Sequence, residues 1–80
     1  MPEQVDSAVF TVTATWDAEA GVFYSQSNIP GLHIEAASFD EFVALVRDLA
    51  PEMIADNLPR VAGPISVRIE ARRDLVLPAA

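Results

Sequence analysis

One stretch of this chain repeats its apolar residues at helical spacing, and the segments on either side repeat them at twos. Phe39, Phe42, Val43, Val46, Leu49, Ala50, Met53 and Ile54 fall on one face of a 3.6-residue helix. Asp40, Glu41, Arg47, Asp48, Glu52 and Asp56 fall opposite. A lone amphipathic helix cannot bury its own stripe, so the flanking period-two segments must supply the sheet it lies on. Ser38 and Glu41 have capping-box spacing, each side chain able to satisfy a free backbone N–H. Asp40 and Glu41 also suit the positive end of the helix dipole. Pro51 interrupts the stripe and would remove one ladder bond. A kink near residues 47–51 is expected, the alternative being a second short helix starting at the proline. The stripe continues past Pro51, which favours the kink. Asn57 is the expected left-handed C-cap, and Pro59 bars continuation.

Upstream, Phe10, Val12, Ala14 and Trp16 alternate with Thr11, Thr13 and Thr15, a half-buried strand whose threonine side is wet or covered by a partner. Residues 17–21 form an acidic turn with Gly21 supplying positive φ, and residues 22–27 return as a second, antiparallel strand. Asn28-Ile29-Pro30-Gly31 fits a type II corner. Leu32, Ile34 and Ala36 alternate with His33 and Glu35 in a short third strand. After the helix, Gly63-Pro64 turns the chain, and Ile65, Val67, Ile69 and Ala71 alternate with Ser66, Arg68, Glu70 and Arg72. That is a fourth strand, apolar on one side and polar on the other.

The order strand-strand-strand-helix-strand predicts an α+β fold. Three strands form an antiparallel meander, and the helix returns the chain so that the fourth lies parallel to the first through a right-handed crossover. A helix of about 19 residues is roughly 28 Å long, close to the ~25 Å of a seven- or eight-residue strand. One helix is therefore expected to cover one sheet face, leaving the threonine, serine and arginine face open. Residues 8–77 read as one domain, with a mobile tail at 1–7 and a short tail at 78–80.

Composition excludes more than it assigns. Cysteine is absent, so disulfides and thiolate metal sites are ruled out, and a single histidine, His33, makes no His-rich cluster. No cofactor or metal is expected. The apolar runs are short and the N-terminus lacks a signal pattern, so neither membrane spanning nor export is expected, and the cytoplasm is the default compartment. Net charge is −7, which disfavours direct nucleic-acid binding and suits a basic partner protein. The carboxylates concentrate ahead of Arg60, whereas Arg60, Arg68, Arg72 and Arg73 lie at or beyond it. Attraction between the two halves, or a polar contact between chains, would follow.

The run Trp16-Asp17-x-Glu19-x-Gly21, then Ser27-Asn28-Ile29-Pro30-Gly31-Leu32, then Glu35-Ala36 and Ser38-Phe39-Asp40-Glu41, resembles the N-terminal domain of HicB-like antitoxins. It is most similar to their short stand-alone relatives. The resemblance runs from about Phe10 to Asn57 and extends toward the last strand. It implies a truncated ribonuclease H-like sheet with one helix, and a non-enzymatic role in binding and silencing a small basic RNA-cleaving toxin of HicA-like type. Only a few residues follow the fourth strand, so the DNA-binding domain of full-length members is not expected, and operator binding is not carried over.

An acid-lined metal site of a nuclease would need carboxylates at the centre of the first strand, where threonines stand. Asp17 and Glu19 read as turn chemistry or, with Glu35, as charge presented to a basic partner. His33 points to the open face without a nucleophile motif beside it. Trp16 and Tyr24 are core aromatics or interface anchors. Leu75, Val76 and Leu77 are the expected oligomerisation segment, an apolar run beyond the paired strands. The functional expectation is an antitoxin-type, homo-oligomeric binding module; the alternative is an orphan oligomeric scaffold or regulator with the same fold.

Overall fold

A computed structural model describes residues 8–61 and 63–79. The elements are β1 (Ala8–Asp17), β2 (Val22–Ser27), β3 (Glu35–Ala36), α1 (Phe39–Asn57) and β4 (Ile65–Arg72). They build one sheet in the order β3-β2-β1-β4, with β1 antiparallel to β2 and parallel to β4. The expected tail at residues 1–7, and Ala80 of the other tail, lie outside the described residues.

The alternation along β1 decides the two faces. Phe10, Val12 and Ala14 are buried beneath α1 with Phe42, Val46, Ala50 and Ile54. Ile29, Leu32, Ile34 and Ala36 close the same core from the β2–β3 side. Phe42 and Val12 are the largest fully enclosed side chains. At the far end of β1, Trp16 meets the edge of Phe23 at 4.9 Å, and Phe23 meets Phe39 at 6.2 Å. This aromatic chain ties the start of the helix to the end of the first hairpin.

Ser38 is the N-cap, its Oγ accepting the Glu41 N–H at 3.1 Å. The helix then runs uninterrupted through Pro51, so the two-helix alternative does not apply. The C-terminus differs from expectation. Among the described residues no non-glycine residue has positive φ, and Leu58 is the cap, its N–H donating to the Ile54 carbonyl at 2.8 Å. Asn57 stays helical, and its amide instead donates to the carbonyls of Met53 (3.0 Å) and Pro30 (3.3 Å). The helix end is thereby held to the Ile-Pro-Gly corner. That corner is closed by the Leu32 N–H donating to Ile29 O at 3.3 Å, with Gly31 at φ 79°.

The third strand is shorter than its alternation suggests. Leu32 and Ile34 are buried and His33 is exposed, as a strand would have them, yet only Glu35 and Ala36 join the ladder. The cause is Ser25, whose hydroxyl accepts the Ile34 N–H at 2.9 Å while its own N–H donates to Ile34 O at 3.0 Å. A side-chain oxygen takes the place of a ladder carbonyl.

The expectation that the helix covers all four strands is corrected. Ile65 is 41% exposed, Val67 and Ile69 are half-buried, and Ala71 is exposed, although all four lie on the helix side of β4. A helix is about 10–12 Å across, whereas four strands spaced about 4.8 Å apart span more than that between outer axes alone. Matching in length does not give matching in width. The helix sits over β1, β2 and β3, and an apolar groove of about 280 Å³ remains between α1 and β4.

Candidate protein-binding surface

The sheet face away from the helix carries Thr11, Thr13 and Thr15 from β1, Tyr24 and Gln26 from β2, and Arg68, Glu70 and Arg72 from β4. Register sets these side chains in rows across the strands. Glu35 pairs with Tyr24, Tyr24 with Thr15, and Thr15 with Arg72. In the next row Gln26 pairs with Thr13 and Thr13 with Glu70, and the Thr15 hydroxyl donates to Gln26 Oε1 at 3.1 Å between the rows. No element among the described residues lies over this face.

Its two margins differ in charge. Asp17, Glu19 and Glu35 stand at the hairpin and β3 side, and Arg68 and Arg72 at the β4 side. Glu35 and Arg72 share a row three strand spacings apart, roughly 14 Å at about 4.8 Å each, whereas Asp17 ends β1, the strand beside β4.

At the acidic margin lies an open hollow lined by Asp17, Tyr24, Ser25, His33, Ile34 and Glu35. Two of the three expected partner-binding residues, Asp17 and Glu35, come together here; Glu19 does not line it. Asp17 has a structural task as well. Its Oδ1 accepts the N–H groups of Glu19 (3.0 Å) and Ala20 (3.2 Å), and the Gly21 N–H closes the turn onto Asp17 O at 2.8 Å. Glu35 has no comparable role in the fold and is exposed. His33 and Tyr24, weighed as a surface residue and a core or interface aromatic, are both wall residues of the hollow. Trp16 instead belongs to the helix-side aromatic chain and carries the Arg73 guanidinium over its ring at 5.0 Å.

Two further surfaces were not picked out from sequence as sites. Glu41, Asp48, Glu52 and Asp56 form one stripe along the solvent side of α1, legible in the helical spacing once the buried face is known. The groove between α1 and β4 is lined by Val46, Ala50, Pro51, Ile54, Ile65 and Val67, with Arg47 also in its wall. Only a comparison of helix width with sheet width would have found it. Leu75, Val76 and Leu77 are exposed at 74%, 91% and 71% and belong to no strand.

No cluster of three or more His, Cys, Asp or Glu side chains that could hold a metal occurs among the described residues. No buried polar or charged side chain is found among them. Among the same residues no helix is long and apolar enough to cross a membrane.

The architecture defines a class: a small α+β domain whose single helix covers part of one face of a four-stranded mixed sheet. Within that class the chain belongs to the DUF1902 family, a domain of unknown function, which matches residues 9–77. It is similar to the hypothetical protein TTHA1013 from the extremely thermophilic bacterium Thermus thermophilus, whose crystal structure aligns with a TM-score of 0.75 and 38% identity. That alignment covers 86% of this chain and 99% of the other. No curated protein matches the chain in sequence.

Proposed function

We propose that the chain is a non-enzymatic, HicB-like antitoxin-type module that binds and silences a small basic RNA-cleaving toxin of HicA-like type. The observation that carries this reading is the hollow at the acidic margin of an uncovered sheet face, where Glu35 and Asp17 flank Tyr24 and His33. Tyrosine offers a rigid, amphipathic contact and the carboxylates offer partners to Lys or Arg, the combination expected of a surface that recognises a cationic protein. The net charge of −7 supports steering of such a partner. So does the helix stripe. Asp56 stands in the last turn, where the helix has no basic residue and the dipole disfavours a carboxylate. Helix stability does not explain that placement, whereas a basic partner would offset it. The same net charge argues against direct contact with nucleic-acid phosphates. A toxin that cleaves cellular RNA would be met in the cytoplasm.

The test is co-expression with a HicA-like toxin. The full chain should form a complex and restore growth. Glu35→Arg should weaken the complex about tenfold or more while leaving the melting temperature unchanged. Absence of both complex and rescue, with a panel of such toxins, would refute the reading. The second reading, an orphan oligomeric scaffold or regulator, is favoured by the exposure of Leu75, Val76 and Leu77. It predicts self-association without a toxin partner.

A further inference from the structure

We infer that β4 and the residues following it pair antiparallel with the same segment of a second copy, about a two-fold axis at Ala71. This inference does not depend on the antitoxin reading.

β4 is the long free edge of the sheet, bonded among the described residues only to β1, whereas the opposite edge strand, β3, has just two residues. Unpaired N–H and C=O groups along an edge of this length are a template for another strand. The helix side of β4 also borders the open groove, where Ile65 is 41% exposed and Val67 only half-buried. Something apolar must be beside them for the edge to be dry. The chain carries such a group in Leu75, Val76 and Leu77. Side-chain direction already alternates through Arg73, which lies on the helix side over Trp16. Continued alternation puts Leu75 and Leu77 on the helix side and Asp74 on the outer side.

Residues 65–77 are self-complementary about their centre. With Ala71 opposite Ala71, Glu70 faces Arg72 of the second copy and Arg68 faces its Asp74, and symmetry repeats both pairs. On the helix side Val67 faces Leu75 and Ile65 faces Leu77, so each copy's leucines fill the other's groove beneath α1. Pro64 and Pro78 stand opposite each other at the two ends, and each lacks the N–H that would extend the ladder. Neighbouring registers fail. An axis at Glu70 sets Glu70 on Glu70 and Arg68 on Arg72. An axis at Ile69 keeps Arg68 opposite Glu70 but carries Leu75 and Leu77 past Ile65, away from the groove. Like charges directly opposite are destabilising, so the charges exclude the Glu70 register and the position of the leucines excludes the Ile69 one.

The experiment uses the full chain, which has no cysteine of its own. Sedimentation should show a dimer. Glu70→Arg or Arg72→Glu alone should weaken it by about tenfold or more, and the double reversal should restore it. Under mild oxidation Ala71→Cys should cross-link the dimer, since directly opposed Cβ atoms lie about 4.5–5.5 Å apart. Ile69→Cys should not, its twin being roughly 13 Å away along the strands. A monomer at high micromolar concentration overturns the pairing. A dimer that cross-links through Ile69→Cys and not Ala71→Cys overturns the register, as does a double reversal that leaves the dimer weak.

Discussion

Replacing Gly31 by alanine probes the link between the Ile-Pro-Gly corner and the end of the helix. Gly31 has φ 79°, where an L-residue costs about 1–2 kcal/mol. An added Cβ would also stand 3.3 Å from Met53 Sδ and 3.5 Å from Asn57 Nδ2, the nitrogen that holds Pro30 O. Met53 ends in a flexible thioether and can yield. The 3.5 Å approach to Asn57 is ordinary van der Waals contact, so the added load falls on Met53, whose side chain is pushed off its rotamer at a cost of about 0.5–1.5 kcal/mol. The expected loss for Gly31→Ala is therefore about 2–3 kcal/mol. Gly21→Ala is the internal control. Gly21 has φ 69° with nothing within 4 Å of the added Cβ, so it should lose only the backbone share of about 1–2 kcal/mol. For a domain of this size, 1 kcal/mol shifts the melting temperature by about 4–8 °C. Thermal denaturation followed by circular dichroism should thus rank Gly31→Ala clearly below Gly21→Ala. Equal losses would refute the claim that the corner is packed against the helix end. The further substitution Met53→Ala should then remove most of the difference between the two, because the added methyl no longer meets the thioether.

Phe42→Ala should cost about 3–5 kcal/mol, a large share of the roughly 4–12 kcal/mol expected for a domain of this length; loss of the cooperative urea transition is the readout. Ser38→Ala removes the hydroxyl that accepts the Glu41 N–H and should lower stability by about 1 kcal/mol, seen as a melting temperature about 4–8 °C lower. Pro51→Ala should raise the melting temperature, because alanine restores an N–H for Arg47 O and removes a steric cost of about 3 kcal/mol in an unstrained helix interior. A lower melting temperature would mean that the proline's packing in the groove outweighs its backbone cost.

Much of this fold could be read along the chain because the deciding signals are local. The threonine alternation in β1, the apolar stripe of α1 and the Ser38 cap each involve residues within one or two turns of one another. The features that escaped depend on residues far apart in sequence. Ser25 truncates β3 by satisfying Ile34, nine positions away. Asn57 reaches Pro30 across 27 positions, so a residue that suits a left-handed cap becomes a tertiary tie. The lateral position of the helix was equally illegible, because periodicity states which face is apolar and says nothing of which strands it will meet. For the candidate surface the same division holds. Exposure of Glu35 and His33 follows from alternation, while their meeting with Asp17 and Tyr24 in one hollow required the register of three strands.

The two proposals occupy opposite margins of the sheet, and this sets how they combine. Pairing at β4 consumes the edge that bears Arg68 and Arg72 and leaves the hollow at β3 untouched. Arg68 and Arg72 would then be neutralised by Asp74 and Glu70 of the second copy, so the joined sheet would lose its basic margin and keep two acidic ones. Eight strands spaced about 4.8 Å apart put those margins roughly 34 Å from each other, far enough for each to engage its own basic partner without crowding. Binding of one partner per chain, two per dimer, is the expected stoichiometry, and light scattering on a reconstituted complex measures it. One partner per dimer would mean that the hollow is not the contact, even where the dimer itself stands.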